Sequence, residues 1–159
     1  MFSRSLRLAG AALVVAVTAA AQVPAGKALV NVDSHGVALQ GYDPVAFFSD
    51  SQPVRGHSDL TASYRGATYN FASAEHQRMF QAAPERYAPQ FGGYCAYGVS
   101  QGHTAPVEIS TWQIRDGRLL LNYSAAVRRR FDADLARYLA QADHNWPGLV
   151  EREGKSGGR

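Results

Sequence analysis

FGGYCAYGVSQGH, residues 91–103, carries the only cysteine of the chain, Cys95, and ends on His103. A second imidazole, His76, lies in FASAEHQRMF, residues 71–80, on a segment with helical periodicity. A thiol and two imidazoles are the side chains that soft transition metals prefer. They are also the residue types of a thiolate–imidazolium nucleophile. A structural zinc site wants four side-chain ligands, usually several thiolates, so one cysteine suits copper(I), which accepts two or three soft ligands. His76, Cys95 and His103 are therefore the candidate metal ligands, with copper the first metal to test. The bland alternatives are a cysteine that packs as a small hydrophobe among Phe91, Tyr94 and Tyr97, and a histidine that bonds a carbonyl or hydroxyl in the core. Gly92, Gly93 and Gly98 read as close-packing positions and not as a phosphate loop, because no Lys-Ser or Lys-Thr follows and no G-x-G-x-x-G spacing occurs. No nucleophile motif surrounds Cys95 and no two carboxylates are tied by spacing, so the chemistry leans away from an enzyme. A thiol-based redox protein stands as the third class.

These residues need elements to hold them. Ser73 caps a helix to about Ala82, on which His76, Met79, Phe80 and Ala83 share one face, so His76 points toward the core. LTASYRGATYNFAS reads as a hairpin turning at Arg65-Gly66, and STWQIRDGRLLLNYS as a second one turning at Asp116-Gly117. In the second, Leu119, Leu121 and Tyr123 take one strand face and Leu120 and Asn122 the other. Asp43 before Pro44 marks a helix start, followed by a buried turn over Val45–Phe48. A longer helix is expected from Ser124 to about Ala142, with Val127, Phe131, Leu135, Tyr138 and Ala142 as its apolar stripe. The sum is a small α+β domain in which two β-hairpins form an antiparallel sheet, with short helices and a longer C-terminal helix. His35, His57 and His144 sit in polar contexts and are expected at the surface, while Trp112 and Trp146 are expected to pack.

The first residues, MFSRSLRLAGAALVVAVTAAAQ, read as an export signal with Arg4 and Arg7 ahead of an apolar run and Ala19-Ala20-Ala21 as the cleavage pattern. The expected organisation is a signal peptide over 1–21, a lead-in segment over 22–36, the domain over 37–149 and a flexible tail over 150–159. That places the protein in the periplasm or outside the cell, with no stable membrane span after cleavage. The chain has 16 basic and 13 acidic residues. Two of the basic ones are in the leader, so the remainder is close to balanced and does not advertise nucleic-acid binding. Arg128-Arg129-Arg130 runs straight into Asp132 and Asp134 and reads as a solvated helix face. One cysteine cannot form an internal disulfide, which leaves Cys95 buried, ligating, or open to another molecule.

Four stretches in order, GYDPVAFF, YRGATYNFASAEHQRMFQAAPERYAPQFGGYCAYGVSQG, TWQIRDGRLLLNYS and ADHNWPGL, resemble the exported YHS-domain-containing proteins of bacteria, over about Val37–Leu149. The resemblance implies the fold and a non-enzymatic exported domain. The related metal-binding modules place cysteines where this chain has Ala46 and Ala72, so His76 is the one ligand-type residue at the three corresponding positions. The reading that follows is a YHS-domain protein that binds copper or another transition metal. The alternative is a structural or protein-interaction module in which Cys95 is merely buried. The partner is then a metal ion or another protein.

Overall fold

Arg65-Gly66 and Asp116-Gly117 both take positive φ at both residues (51° and 76°, 49° and 72°), the backbone that a two-residue hairpin turn requires. The computed structural model describes residues 26–156; the expected signal peptide, 1–21, lies outside the described residues. In chain order the elements are β1 (Lys27–Ala28), α1 (Ala46–Ser49), β2 (His57–Tyr64), β3 (Ala67–Phe71), α2 (Ala74–Ala82), α3 (Pro84–Tyr87), α4 (Ala96–Ser100), β4 (Glu108–Arg115), β5 (Arg118–Asn122), α5 (Ala125–Asp132), α6 (Leu135–Glu153) and β6 (Lys155–Ser156). The domain is α+β, as its hairpin and helix patterns indicate.

The two hairpins are present, β2 against β3 and β4 against β5, both antiparallel. They do not join into the single sheet expected from sequence. The described strands form three separate two-stranded ladders, the third pairing β1 with β6. Other segments occupy the strand edges that would have joined the hairpins. Val37 bridges to Thr68 of β3, and Cys95 bridges to Leu121 of β5. Each hairpin ladder is also interrupted by a register shift, between His57 and Thr61 and between Glu108 and Gln113.

β5 is the partition of the molecule. Leu119 and Leu121 pack on one side with Phe47, Tyr69, Phe71, Phe80 and Ile109. Leu120 packs on the other side with Phe91, Val99, Phe131, Trp146 and Leu149. The alternation expected for this strand is correct, but both of its faces are buried, and only Tyr123 beyond its end is exposed. Trp146 is buried and Trp112 lies against Phe47 with ring centroids 5.5 Å apart. His35, His57 and His144 are exposed.

Two helical expectations need correction. The helix from Ser124 is two helices, α5 and α6, parted at Ala133–Asp134, where Asp134 leaves helical backbone at φ −145°, ψ 59°. The apolar stripe survives the break, with Phe131 and Ala142 buried and Leu135 and Tyr138 packed beside them. The tail expected after Leu149 is not loose through the described residues. Val150 is buried, α6 runs to Glu153 despite Pro147, and Lys155–Ser156 then pair with Lys27–Ala28. The lead-in is fastened in the same way, and Asn31 N–H bonds the Gly92 carbonyl at 2.9 Å. Among the described residues no helix is long and apolar enough to cross a membrane.

Candidate functional site

Asp43 and Pro44 start a buried turn, and Asp43 is completely buried. Its Oδ1 accepts from the Val45 N–H at 2.8 Å and from the Ala46 N–H at 3.4 Å. That is the capping role its Asp-Pro context predicts. Its Oδ2 accepts from the Ala72 N–H at 2.8 Å and faces His76 Nδ1 at 2.7 Å. One carboxylate thus ties the α1 turn, the end of β3 and α2 together. The backbone N–H groups of Ala46 and Ala72 and the ring of His76 converge on this one carboxylate.

Ser73 Oγ caps α2 by accepting the His76 N–H at 3.1 Å, which sets the ring over Asp43. An ionised carboxylate only accepts, so the Nδ1 proton faces Oδ2, and the neutral ring in that tautomer presents its lone pair at Nε2. Nε2 lies 3.2 Å from Ser49 Oγ and 3.8 Å from Asp50 Oδ1, at the rim of the domain. The imidazole is mostly buried, as its helical face indicates, while Asp50 remains exposed. Ser49, His76 and Asp43 follow the order of a hydroxyl–imidazole–carboxylate relay. The Ser49 hydroxyl has one proton, however, and its shortest acceptor is Asp50 Oδ1 at 2.8 Å, with the Val45 carbonyl at 3.2 Å. The Ser49 proton is thus directed away from Nε2, and the arrangement does not activate Ser49.

Cys95 occupies a different setting. It is 1 % exposed and stands at the N-terminal end of α4, where a serine or aspartate usually sits. Sγ accepts the Gly98 N–H at 3.4 Å and the Tyr123 N–H at 3.3 Å, and the thiol faces Asn122 Oδ1 at 3.6 Å. Asn122 Oδ1 also accepts the Tyr97 N–H at 3.2 Å. Thr111 Oγ1 accepts the Asn122 N–H and lies within hydrogen-bond reach of the Glu108 and Asn122 carbonyls, which fixes the strand that carries the amide. Asn145 Nδ2 closes the far end of α4 by bonding the Val99 and Ser100 carbonyls at 3.1 and 3.0 Å. Burial pushes the neighbouring Tyr94 hydroxyl above its ordinary value, and the Glu153 carboxylate adds to it.

The structure does not bring His76, Cys95 and His103 into one ligand group. Among the described residues, no three His, Cys, Asp or Glu side chains cluster closely enough to hold a metal ion. The polar partners of His76 and of Cys95 share no residue. His103 belongs to the Cys95 side. Its N–H bonds the Gly98 carbonyl at 3.1 Å, and its Nε2 lies where a side chain at Gly98 would touch it. The physical reason for the separation is β5, which draws Cys95 through the Leu121 bridge, while Asp43 draws His76 toward α1.

Sequence reasoning overlooked Asp50 and Ser49 as neighbours of His76, and Asn122 as the partner of the thiol. The signal for Asn122 was present, since a polar residue in the apolar run RLLLN demands a partner when that strand is buried on both faces. No family model matches the chain, and neither a curated protein nor a solved structure does.

Proposed function

We propose that this is a small exported, non-enzymatic YHS-domain protein of the periplasm or the extracellular space that binds a transition-metal ion, copper first, at His76. The observation that carries this reading is the 2.7 Å contact between His76 Nδ1 and the buried Asp43 carboxylate. Imidazoles that ligate metals characteristically donate their other ring N–H to such a carboxylate, which fixes the tautomer and raises the basicity of the ligating nitrogen. Asp50 Oδ1, 3.8 Å from Nε2, supplies a second donor. One imidazole and one carboxylate, completed by water, form a nitrogen–oxygen set of the kind copper(II) accepts. With Ala46 and Ala72 in place of thiolates, binding is weak. Cys95, sealed by its own hydrogen bonds, and His103 lie outside this ligand set. Neither the charge balance nor the single basic cluster favours a nucleic-acid partner.

Copper(II) titration of the mature, tag-free chain, followed by electron paramagnetic resonance, tests this. The expected result is one nitrogen-coordinated copper per chain that His76→Ala abolishes and Cys95→Ala leaves unchanged. A copper signal that survives His76→Ala, or none in the parent chain, overturns the assignment. The Asp43–His76 contact would then be a clamp in a structural or protein-interaction module.

A further inference from the structure

Asn122 Nδ2 is the one buried side-chain nitrogen or oxygen left without a hydrogen-bond partner among the described residues. Asn122 is completely buried, and its carboxamide faces the chain's only thiol through Oδ1, 3.6 Å from Sγ. An unmet buried donor is costly. Turning the amide over does not relieve it, because Oδ1 is also held by the Tyr97 N–H. The amide therefore offers its acceptor to the thiol while the donor of the same buried carboxamide stays unpaired. An oxygen atom added to the sulfur supplies the acceptor that this donor lacks.

We propose that Cys95 is a reversible oxidation site for hydrogen peroxide, and that Asn122 Nδ2 stabilises the resulting sulfenic acid. The thiol loses its proton, and an electron pair of the thiolate attacks one peroxide oxygen. The O–O bond breaks, the S–O bond forms, and the departing hydroxide takes up a proton to leave as water. Sulfur is oxidised by two electrons and the peroxide is reduced. The backbone N–H groups of Gly98 and Tyr123 already point at Sγ and hold the sulfur in place for the attack. No second cysteine exists in the chain to convert the product to an internal disulfide. Burial bars large thiols, so the sulfenic acid is the state that persists. Hydrogen peroxide is close to water in size and enters when the short α4 segment opens locally. The proposal is independent of copper at His76.

The test treats the metal-free mature chain with hydrogen peroxide and follows it by intact mass and peptide mapping. The expected product is a gain of about 16 Da located on Cys95, reversed by dithiothreitol once the peroxide is removed and the chain is opened in urea. Oxidation of Met79 is not reversed by that reagent and maps to another peptide. Asn122→Asp keeps acceptor oxygens but removes the donor. In that variant the sulfenic acid should pass on to the sulfinic acid at least fivefold faster. A wild-type chain unfolded in urea should behave like the variant, which guards against a substitution that disturbs the fold. Absence of a reductant-reversible oxygen on native Cys95 overturns the proposal. So does a sulfenic acid as long-lived in Asn122→Asp, or in the unfolded chain, as in the native protein.

Discussion

At the scale of single residues, Asp43 shows how far local reading reaches. Its Oδ1 contacts are two and three residues along the chain and follow from the Asp-Pro pair. Its Oδ2 contacts, to Ala72 and His76, come from another hairpin and another helix. No spacing rule announces them. The inward face of His76 was legible from the periodicity of α2, and the burial of Cys95 from its aromatic and glycine-rich context. That the two side chains lie in separate hydrogen-bond settings was not, because their placement depends on partners distant in sequence. Tyr69 makes a prediction of its own. Burial, with Tyr64 adding to it, holds its hydroxyl far above the ordinary tyrosine value. In the unfolded chain the group ionises near pH 10. Its contribution to stability is therefore complete below that pH and falls as pH rises beyond it. Urea unfolding between pH 8 and 11.5 should show a steeper alkaline loss in the wild type than in Tyr69→Phe. Equal slopes would assign the loss to other groups.

At the scale of elements, β5 matters most. Its run Arg118–Asn122 alternates as a strand should, yet the sequence pattern alone does not tell one buried face from two. The distinction lies in what covers the second face, here α4, α5 and α6. Leu120, fully buried among Phe91, Val99 and Phe131, is the strand's contribution to that side. Leu120→Ala should lower the unfolding free energy by about 2–5 kcal/mol, measured by urea denaturation. A loss well under 1 kcal/mol would mean that the site collapses freely and that β5 divides nothing. The break between α5 and α6 escaped the sequence for a related reason. Asp132-Ala133-Asp134 contains neither proline nor glycine, and the stripe from Phe131 to Leu135 keeps its spacing of four across it. Conversely, the apolar stripe was followed only to Ala142, but burial of Trp146, Leu149 and Val150 holds α6 together well beyond it, through Pro147.

At the scale of the whole molecule, the hairpins, the capped helix and the α+β class could be read in advance because each depends on neighbours along the chain. The division into two apolar clusters could not, since it is a property of how distant segments meet. The same holds for the pairing of β1 with β6, which lie at opposite extremes of the described chain. Lys27 pairs with Ser156 in register, and Lys27 Nζ also contacts Glu151 Oε1 at 2.6 Å. The polypeptide is in effect a ring with one cut in it. Where that cut falls should matter little to folding. A permuted gene that splices residue 156 to residue 26 through a short glycine–serine spacer, and begins instead at the exposed Gln52, should yield a protein with the parental circular dichroism and a single unfolding transition. Insoluble or unfolded product would show that synthesis must start where it naturally does.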